Sequence, residues 1–127
     1  MYEPRVLLSS PEPKARETAE LFAPVLGLEV VMADGLCETA RRTVGLLPRD
    51  EFERGIRALL ERPDQVVFGE ESAAEALARF EAAVAGVPEP AVVVTHGTVL
   101  SLYAAAKTGR VPFELWRSLE LPDVVEV

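Results

Sequence analysis

Residues 92–100 read VVVTHGTVL, and His96, the only histidine of the chain, lies in the middle of them. Three β-branched valines precede it, which favours a strand, and the apolar period after Gly97 favours a helix. An apolar run without polar alternation is typical of a strand that is covered on both faces, as in the centre of a parallel sheet. The stretch therefore predicts a central strand over residues 91–95, a polar turn at His96, and a helix over residues 99–107.

A second strand-to-helix turn lies near the N-terminus, where residues 5–14 read RVLLSSPEPK. Residues 5–9, RVLLS, with three consecutive apolar residues, predict a short buried strand. We expect Ser10 to be the N-cap of the next helix and Pro11 to take its first position, where the missing N–H costs nothing. Gly27 is expected to end this helix. The helical period predicts five residues on its buried face: Ala15, Ala19, Phe22, Val25 and Leu26.

The remaining sequence continues the alternation of strands and helices. Apolar residues predict strands at 28–33 and at 120–127, and helical periods predict helices at 50–61 and from a capping box at Ser72 to about residue 85. This alternation is typical of the α/β class. We expect a three-layer α/β/α sandwich with a mostly parallel sheet, formed as a single domain over residues 1–127.

Composition and charge argue against several classes of function. The formal net charge is −8, and no basic stripe interrupts it, so the sequence disfavours nucleic acid as a partner. The longest apolar runs are too short to cross a bilayer and the N-terminus shows no signal-peptide pattern, so we expect no membrane partner and a cytoplasmic location. With one histidine and one cysteine, Cys37, the sequence disfavours a transition-metal site, and it predicts no metal site and no cofactor. It leaves a carboxylate magnesium site open, although no acidic cluster suggests one.

Polar residues follow two of the predicted strands, at Ser10 and at His96. Ligands of open α/β sheets bind beyond the carboxyl ends of the strands, and helix N-termini suit phosphate. Lys14 is expected at the same end of its helix as Ser10, where its ammonium could meet an anion. An imidazole can donate to an oxyanion, or act as a nucleophile or an acid–base group. The two turns therefore predict a cradle for phosphate or a small phosphorylated molecule.

Four segments, in order, resemble the histidine phosphatase superfamily, the phosphoglycerate mutase-like proteins. Residues 9–22, SSPEPKARETAELF, resemble the family's S-P-x-x-R-A-x-x-T-A segment, and residues 92–109, VVVTHGTVLSLYAAAKTG, resemble its second-histidine segment. Residues 36–38, Leu-Cys-Glu, are similar to an L-x-E element that supplies an acidic proton donor in some members. Residues 69–72, Gly-Glu-Glu-Ser, with Arg79 downstream, are similar to the family's G-E-S stretch and the arginine that follows it.

The resemblance implies a role for each matching residue. By this resemblance Glu38 would be the proton donor, and His96, in the second-histidine segment, would face the phosphate. If the protein is an enzyme, both residues are catalytic and His96 acts as the nucleophile. The phosphate would be bound by five residues: Ser10, Lys14, His96, Gly97 and Thr98. The implied fold is phosphoglycerate mutase-like without the family's first strand unit.

Two departures separate this sequence from the family pattern. Family members begin with a strand that ends in R-H-G, whose histidine is phosphorylated, but this sequence has no R-H-G and no second histidine. The arginine of the S-P-x-x-R segment is Lys14, a point charge without the bidentate fork. We therefore expect impaired family-type catalysis, and the sequence leaves open whether the protein is an enzyme. The alternatives are a protein that binds or acts on a small phosphomonoester and a non-catalytic structural or interaction protein, a pseudoenzyme that works as a homo-oligomer.

The absent first strand also predicts a partner. In the family that strand lies beside the second-histidine strand, so without it residues 91–95 would have a hydrophobic open edge. Either the C-terminal strand, around residues 124–127, or a second copy of the chain would cover this edge. We expect a homodimer.

Overall fold

The structure is a computed structural model that describes residues 3–120 and 123–127. Its described residues divide into two compact units, one made of the residues up to Cys37 with Arg79–His96, the other of Glu38–Ala78 with the residues from Gly97 onwards. The α/β class and the parallel sheet are confirmed, because three parallel strands and five α-helices form within the described residues.

The first unit contains the sheet. Its strands are β1 (Val6–Ser9), β2 (Val30–Met32) and β3 (Ala91–Val94), in the order β2-β1-β3, and both pairings are parallel. Helix α1 (Pro13–Leu26) packs on all three strands, and a short 3₁₀ turn, Asp34–Leu36, follows β2. The prediction of a central position for β3 is wrong for the described residues: β1 lies in the centre, and β3 forms an edge.

Helix α1 starts later and buries a narrower face than the sequence predicts. It begins at Pro13 with Glu12 as its N-cap, so Ser10 is not the cap and Pro11 is not the first helical residue. Because a residue before proline is pushed out of the α region, Pro13 holds Glu12 extended, with φ −64° and ψ 141°. Gly27 ends the helix in the left-handed conformation, with φ 67°, as predicted.

The predicted buried face of α1 is partly wrong. Ala15 and Ala19 are buried, but Phe22 is 47% exposed and Val25 is 81% exposed. Within residues 3–120 and 123–127, the sheet beneath α1 has three strands. It covers a narrow stripe of small side chains and leaves larger residues such as Phe22 and Val25 exposed.

The second unit is helical. Helices α2 (Arg49–Glu61), α4 (Gly97–Thr108) and α5 (Pro112–Ser118) lie in it, and α3 (Ala73–Val84) begins in it and continues into the first unit. Helix α5 was not predicted; it packs on α2 and α4. Its Phe113 and Trp116 rings stack with centroids 5.8 Å apart, and the Trp116 ring lies 6.2 Å from that of Phe52.

The predicted capping box at the start of α3 is confirmed. The Ser72 N–H donates to Glu75 Oε1 at 3.0 Å, and the Glu75 N–H donates to Ser72 Oγ at 3.1 Å. Each side chain thus satisfies a backbone donor that the helix leaves unpaired.

The predicted strand at residues 120–127 does not form in the part that the structure describes. Glu120 and residues 123–127 have no strand conformation, and residues 121–122 lie outside the described residues. The segment therefore adds no strand to the edge at β3. Its backbone N–H groups are partly satisfied locally, since the Asp123 carboxylate accepts from Glu120 N and Val124 N.

Candidate functional site

The carboxyl ends of β1 and β3 lie side by side. Ser9 is in register with Val94, and the Ser10 N–H donates to the Val94 carbonyl at 2.9 Å, one residue beyond the ladder. Because the strands are parallel, the residue after β1 and the turn after β3 emerge at the same edge of the sheet. The structure therefore brings Ser10 and His96 together, with 2.8 Å between Ser10 Oγ and His96 Nε2.

The turn between β1 and α1 is organised by Ser10. Its side chain is fully buried, and its Oγ accepts the Glu12 N–H at 3.2 Å. Serine hydroxyls favour this local turn because they replace a backbone acceptor. The turn places the Glu12 side chain next to the imidazole.

Glu12 is the residue of this site that the sequence analysis missed. Its Oε2 lies 2.8 Å from His96 Nε2, the same nitrogen that contacts Ser10. The His96 side chain is 17% exposed and that of Glu12 is 45% exposed, so the contact is open to solvent on one side. The clue in the sequence was that Glu12 stands between two prolines just before a helix, so its backbone must be extended.

This arrangement is not a Ser-His-Glu hydrolase triad. Such a triad needs the hydroxyl on one ring nitrogen and the carboxylate on the other, so that the carboxylate orients the base. Here Ser10 and Glu12 share Nε2. The ring is therefore held as a hydrogen-bonding group between two side chains of the same turn.

Lys14 lies at the second residue of α1 and is exposed. Its carbonyl accepts a hydrogen bond from Thr18 Oγ1 at 3.0 Å, one turn along the helix. The structure places it in the same unit as Ser10 and His96, two residues after Glu12. The Lys14 side chain is exposed, whereas Ser10 is buried and His96 is partly buried.

The loop that precedes Glu38 is fixed to the first unit by Arg79 and Thr95. Arg79 Nη1 donates to the carbonyls of Gly35 and Cys37, at 2.8 and 2.7 Å, and Thr95 Oγ1 donates to the Leu36 carbonyl at 2.7 Å. A Cβ on Gly35 would lie 2.5 Å from the Arg79 carbonyl oxygen, so only glycine allows this approach. Arg79 acts as a structural anchor, a role that its position in the sequence did not indicate.

Cys37 adjoins the same cluster, with its Sγ 3.9 Å from Ser10 Oγ. Desolvation by burial raises the pKa of the thiol above 9.0; the contact with Ser10 opposes this, and the negative charge of Glu12 adds to it. The thiol is therefore uncharged at neutral pH, which makes it a weak nucleophile.

In the second unit, Glu38 caps the N-terminus of α4. Its Oε2 accepts the Thr98 N–H at 2.8 Å, and its Oε1 accepts the Val99 N–H at 2.8 Å and the Thr39 N–H at 2.9 Å. Negative charge is favourable at this end of a helix. The predicted residues Glu38 and Thr98 thus contact each other, and Gly97 begins the helix between His96 and that contact.

The described residues contain neither a candidate metal site nor a candidate membrane-spanning helix. Across residues 3–120 and 123–127 there is no group of three or more His, Cys, Asp or Glu side chains placed to hold a metal ion. No α-helix in that same part of the chain combines the length and the apolar character needed to cross a bilayer.

Comparison with known proteins identifies relatives. The model of the histidine phosphatase superfamily (branch 1) matches residues 2–127. A search of curated proteins finds no significant match.

Solved structures from mycobacteria share the fold. Two are hydrolases, designated 1 and 2, with 23% and 25% identity and TM-scores of 0.67 and 0.68. A third is a glucosyl-3-phosphoglycerate phosphatase, with 25% identity and a TM-score of 0.67. Each alignment covers 91% of this chain but only 62%, 57% and 64% of the respective neighbour. The chain thus spans less than two thirds of the length of these proteins.

Proposed function

Because the chain belongs to the histidine phosphatase superfamily, branch 1, we propose that it binds a small phosphorylated molecule at the carboxyl ends of β1 and β3. The observation that carries the proposal is the 2.8 Å contact between Ser10 Oγ and His96 Nε2, which joins the two turns at one sheet edge. The relative that acts on glucosyl-3-phosphoglycerate supports a phosphomonoester as the class of ligand.

The proposed site uses three residues of the first unit. His96 and Ser10 offer polar hydrogens, and Lys14 offers an exposed ammonium near the start of α1. The phosphate-binding residues predicted from the sequence also include Gly97 and Thr98, which begin α4 in the second unit, where a helix N-terminus suits phosphate. Since the Thr98 N–H donates to Glu38, a phosphate would have to share or displace that carboxylate.

We further propose that family-type phosphoryl transfer is slow. The sequence has a single imidazole, and its Nε2 already contacts Ser10 and Glu12. Each missing charge-stabilising donor costs about 3 kcal/mol, or a factor of about 10²–10³ in rate. In this proposal Glu38 can act as the predicted proton donor only if its carboxylate releases the Thr98 and Val99 N–H groups at the start of α4.

Activity is tested with purified protein and a panel of phosphomonoesters, beside a His96→Ala variant. Equal background rates for the two proteins are expected from a binding protein. Turnover that the substitution abolishes would establish His96 as catalytic, and a wild-type rate within the ordinary range of enzymes, about 1–10³ s⁻¹, would contradict slow transfer.

Binding is tested separately by the shift in melting temperature with millimolar phosphate, since a ligand of the native state stabilises it by mass action. Lys14→Gln should reduce the shift, and Lys107→Gln, which removes the other lysine of the chain from an exposed helical position, should leave it unchanged. The absence of any shift in the wild type would remove the proposed anion site.

A second candidate function is that of a non-catalytic interaction protein acting as a homodimer, with residues 1–127 as one domain. It is favoured by the edge position of β3, whose four residues, all β-branched except Ala91, are only partly buried. Hydrophobic edge strands are templates for pairing with another chain. The oligomeric state tests this candidate.

A further inference from the structure

The Glu12 carboxylate lies beside the imidazole nitrogen that an anion bound to His96 would contact. Nε2 is the ring nitrogen that faces Ser10, and Glu12 Oε2 lies 2.8 Å from the same atom. An oxyanion that contacts Nε2 therefore also meets the Glu12 carboxylate. In a simple phosphate site such a contact between like charges is unfavourable.

The position of Glu12 is fixed by the backbone. Pro11 and Pro13 flank it, its φ and ψ are −64° and 141°, and its N–H is bound to Ser10 Oγ at 3.2 Å. As the N-cap of α1 it makes no side-chain capping bond. The turn therefore directs its carboxylate to the imidazole, 2.8 Å from Nε2.

We propose that Glu12 is a specificity-determining residue, which selects an oxyanion that carries a proton over one that is fully ionised. The inference rests on the proposed function. Hydrogen phosphate and a monoprotonated phosphomonoester have a P–O–H group, which donates to the carboxylate in a short, charge-assisted hydrogen bond. Sulfate is fully ionised near neutral pH and has no such hydrogen, so it meets Glu12 only as a like charge.

The Glu12 carboxylate repels a fully ionised anion but accepts a hydrogen bond from a protonated one. The ligand inserts between the imidazole and Glu12. One of its oxygens accepts from Nε2–H in place of Glu12 Oε2, and its protonated oxygen donates to the Glu12 carboxylate, so donors and acceptors match on both sides. The Ser10 hydroxyl, fully buried, adds a third polar group. The expected preference for hydrogen phosphate over sulfate is at least about tenfold, since one close charge contact is worth that much or more.

The experiment uses the unique histidine as its probe. Because the chain has one histidine, its ring protons give a single set of imidazole signals in a proton NMR spectrum. Inorganic phosphate and sulfate are titrated separately at a pH of about 6, where phosphate still carries at least one proton and sulfate carries none. The shift of the His96 signals gives each dissociation constant. The proteins are the wild type, Glu12→Gln and Glu12→Ala.

The matched control is Glu17→Gln, which removes the same charge from an exposed position of α1. The wild type and Glu17→Gln should bind phosphate at least about tenfold more tightly than sulfate. Glu12→Gln should bring the two constants close together, because its amide N–H₂ can donate to either anion. Glu12→Ala should also lose the preference, and it covers the case in which the glutamine variant does not fold.

Two results would overturn the inference in different ways. If phosphate shifts the His96 signals but the wild type shows no preference, or the Glu12 variants keep it, then Glu12 does not set specificity and the proposed anion site stands. If neither anion shifts the His96 signals in any of the proteins at tens of millimolar, both the inference and the proposed function are wrong.

Discussion

At the scale of single residues, the site depends on contacts that only the folded chain reveals. The sequence predicted that Ser10 and His96 meet, since both follow parallel strands, and their 2.8 Å contact agrees with that expectation. It did not predict Glu12, because nothing in its own type marks it among 21 acidic residues. What selects it is the conformation imposed by Pro13, which also moved the start of α1.

Cys37 gives a prediction at this scale. Since burial and the charge of Glu12 raise the pKa of its thiol, we expect alkylation by iodoacetamide to be slower at neutral pH than that of a free cysteine. The midpoint of the rate against pH should lie above the ordinary value of 9.0. Glu12→Gln should move that midpoint down, and Glu17→Gln should not. A thiol that reacts as fast as a free cysteine would contradict the described environment.

At the scale of elements, the ends of helices are determined by side chains from distant parts of the sequence. The Ser72–Glu75 box was predictable because both partners lie within one turn. The cap of α4 was not, because Glu38 is 60 residues away from Thr98. The same applies to α5, whose seven residues are too short for a helical period to identify and which depends on packing.

Removing the cap of α4 should destabilise the protein. Glu38→Ala leaves the Thr98 and Val99 N–H groups without their acceptor, and N-cap losses typically cost about 0.5–2 kcal/mol of the free energy of unfolding. Urea unfolding of the variant measures the loss. Glu51→Ala, an exposed glutamate in the first turn of α2, is the matched control and should cost less. Equal losses in the two variants would argue against the cap.

The loop at residues 40–43 gives a pH-dependent prediction. Desolvation alone would raise the pKa of Glu70, but hydrogen bonds from Thr43 Oγ1, Thr43 N and Arg42 N lower it below 4.5. A lowered pKa means that the folded state favours the ionised carboxylate. Its stabilising effect is complete above the ordinary pKa of 4.5 and disappears as the pH falls through the lowered value.

Glu70→Gln should therefore have a lower melting temperature than the wild type at neutral pH, and the two should converge under acid conditions. Glu17→Gln, an exposed glutamate on α1, serves as the control. A difference that stays constant down to acid pH would show that the charge of Glu70 is not the cause.

At the scale of the whole molecule, the sequence predicts the family and the fold class. It does not predict which strands lie at the edges of the sheet. Order and spacing of four motifs identified the histidine phosphatase superfamily, which the match over residues 2–127 confirms. The apolar run of β3 was interpreted as a central strand, yet β3 lies at an edge of the described sheet. The hydropathy of a strand indicates how deeply it is buried. Its position in the sheet depends also on which other strands pair with it.

The open edge makes a prediction for the assembled protein. If two copies pair, light scattering at micromolar concentration should give a mass of twice 13.8 kDa, and dilution should lower it. Pairing is favoured because it satisfies the backbone groups of β3 that β1 does not reach. A mass of one chain at every concentration would contradict the homodimer and leave the anion site unaffected.

The two prolines around Glu12 have a consequence for the unfolded chain. Pyrrolidine rings at positions 11 and 13 restrict the backbone before folding as well as after it, so little conformational entropy is lost when the turn forms. The φ angles of Pro11 and Pro13, on either side of Glu12, are therefore already fixed before its carboxylate contacts His96. Replacing either ring by alanine would loosen the denatured ensemble by an amount worth about 0.4–1 kcal/mol, even if every contact of the native turn survived.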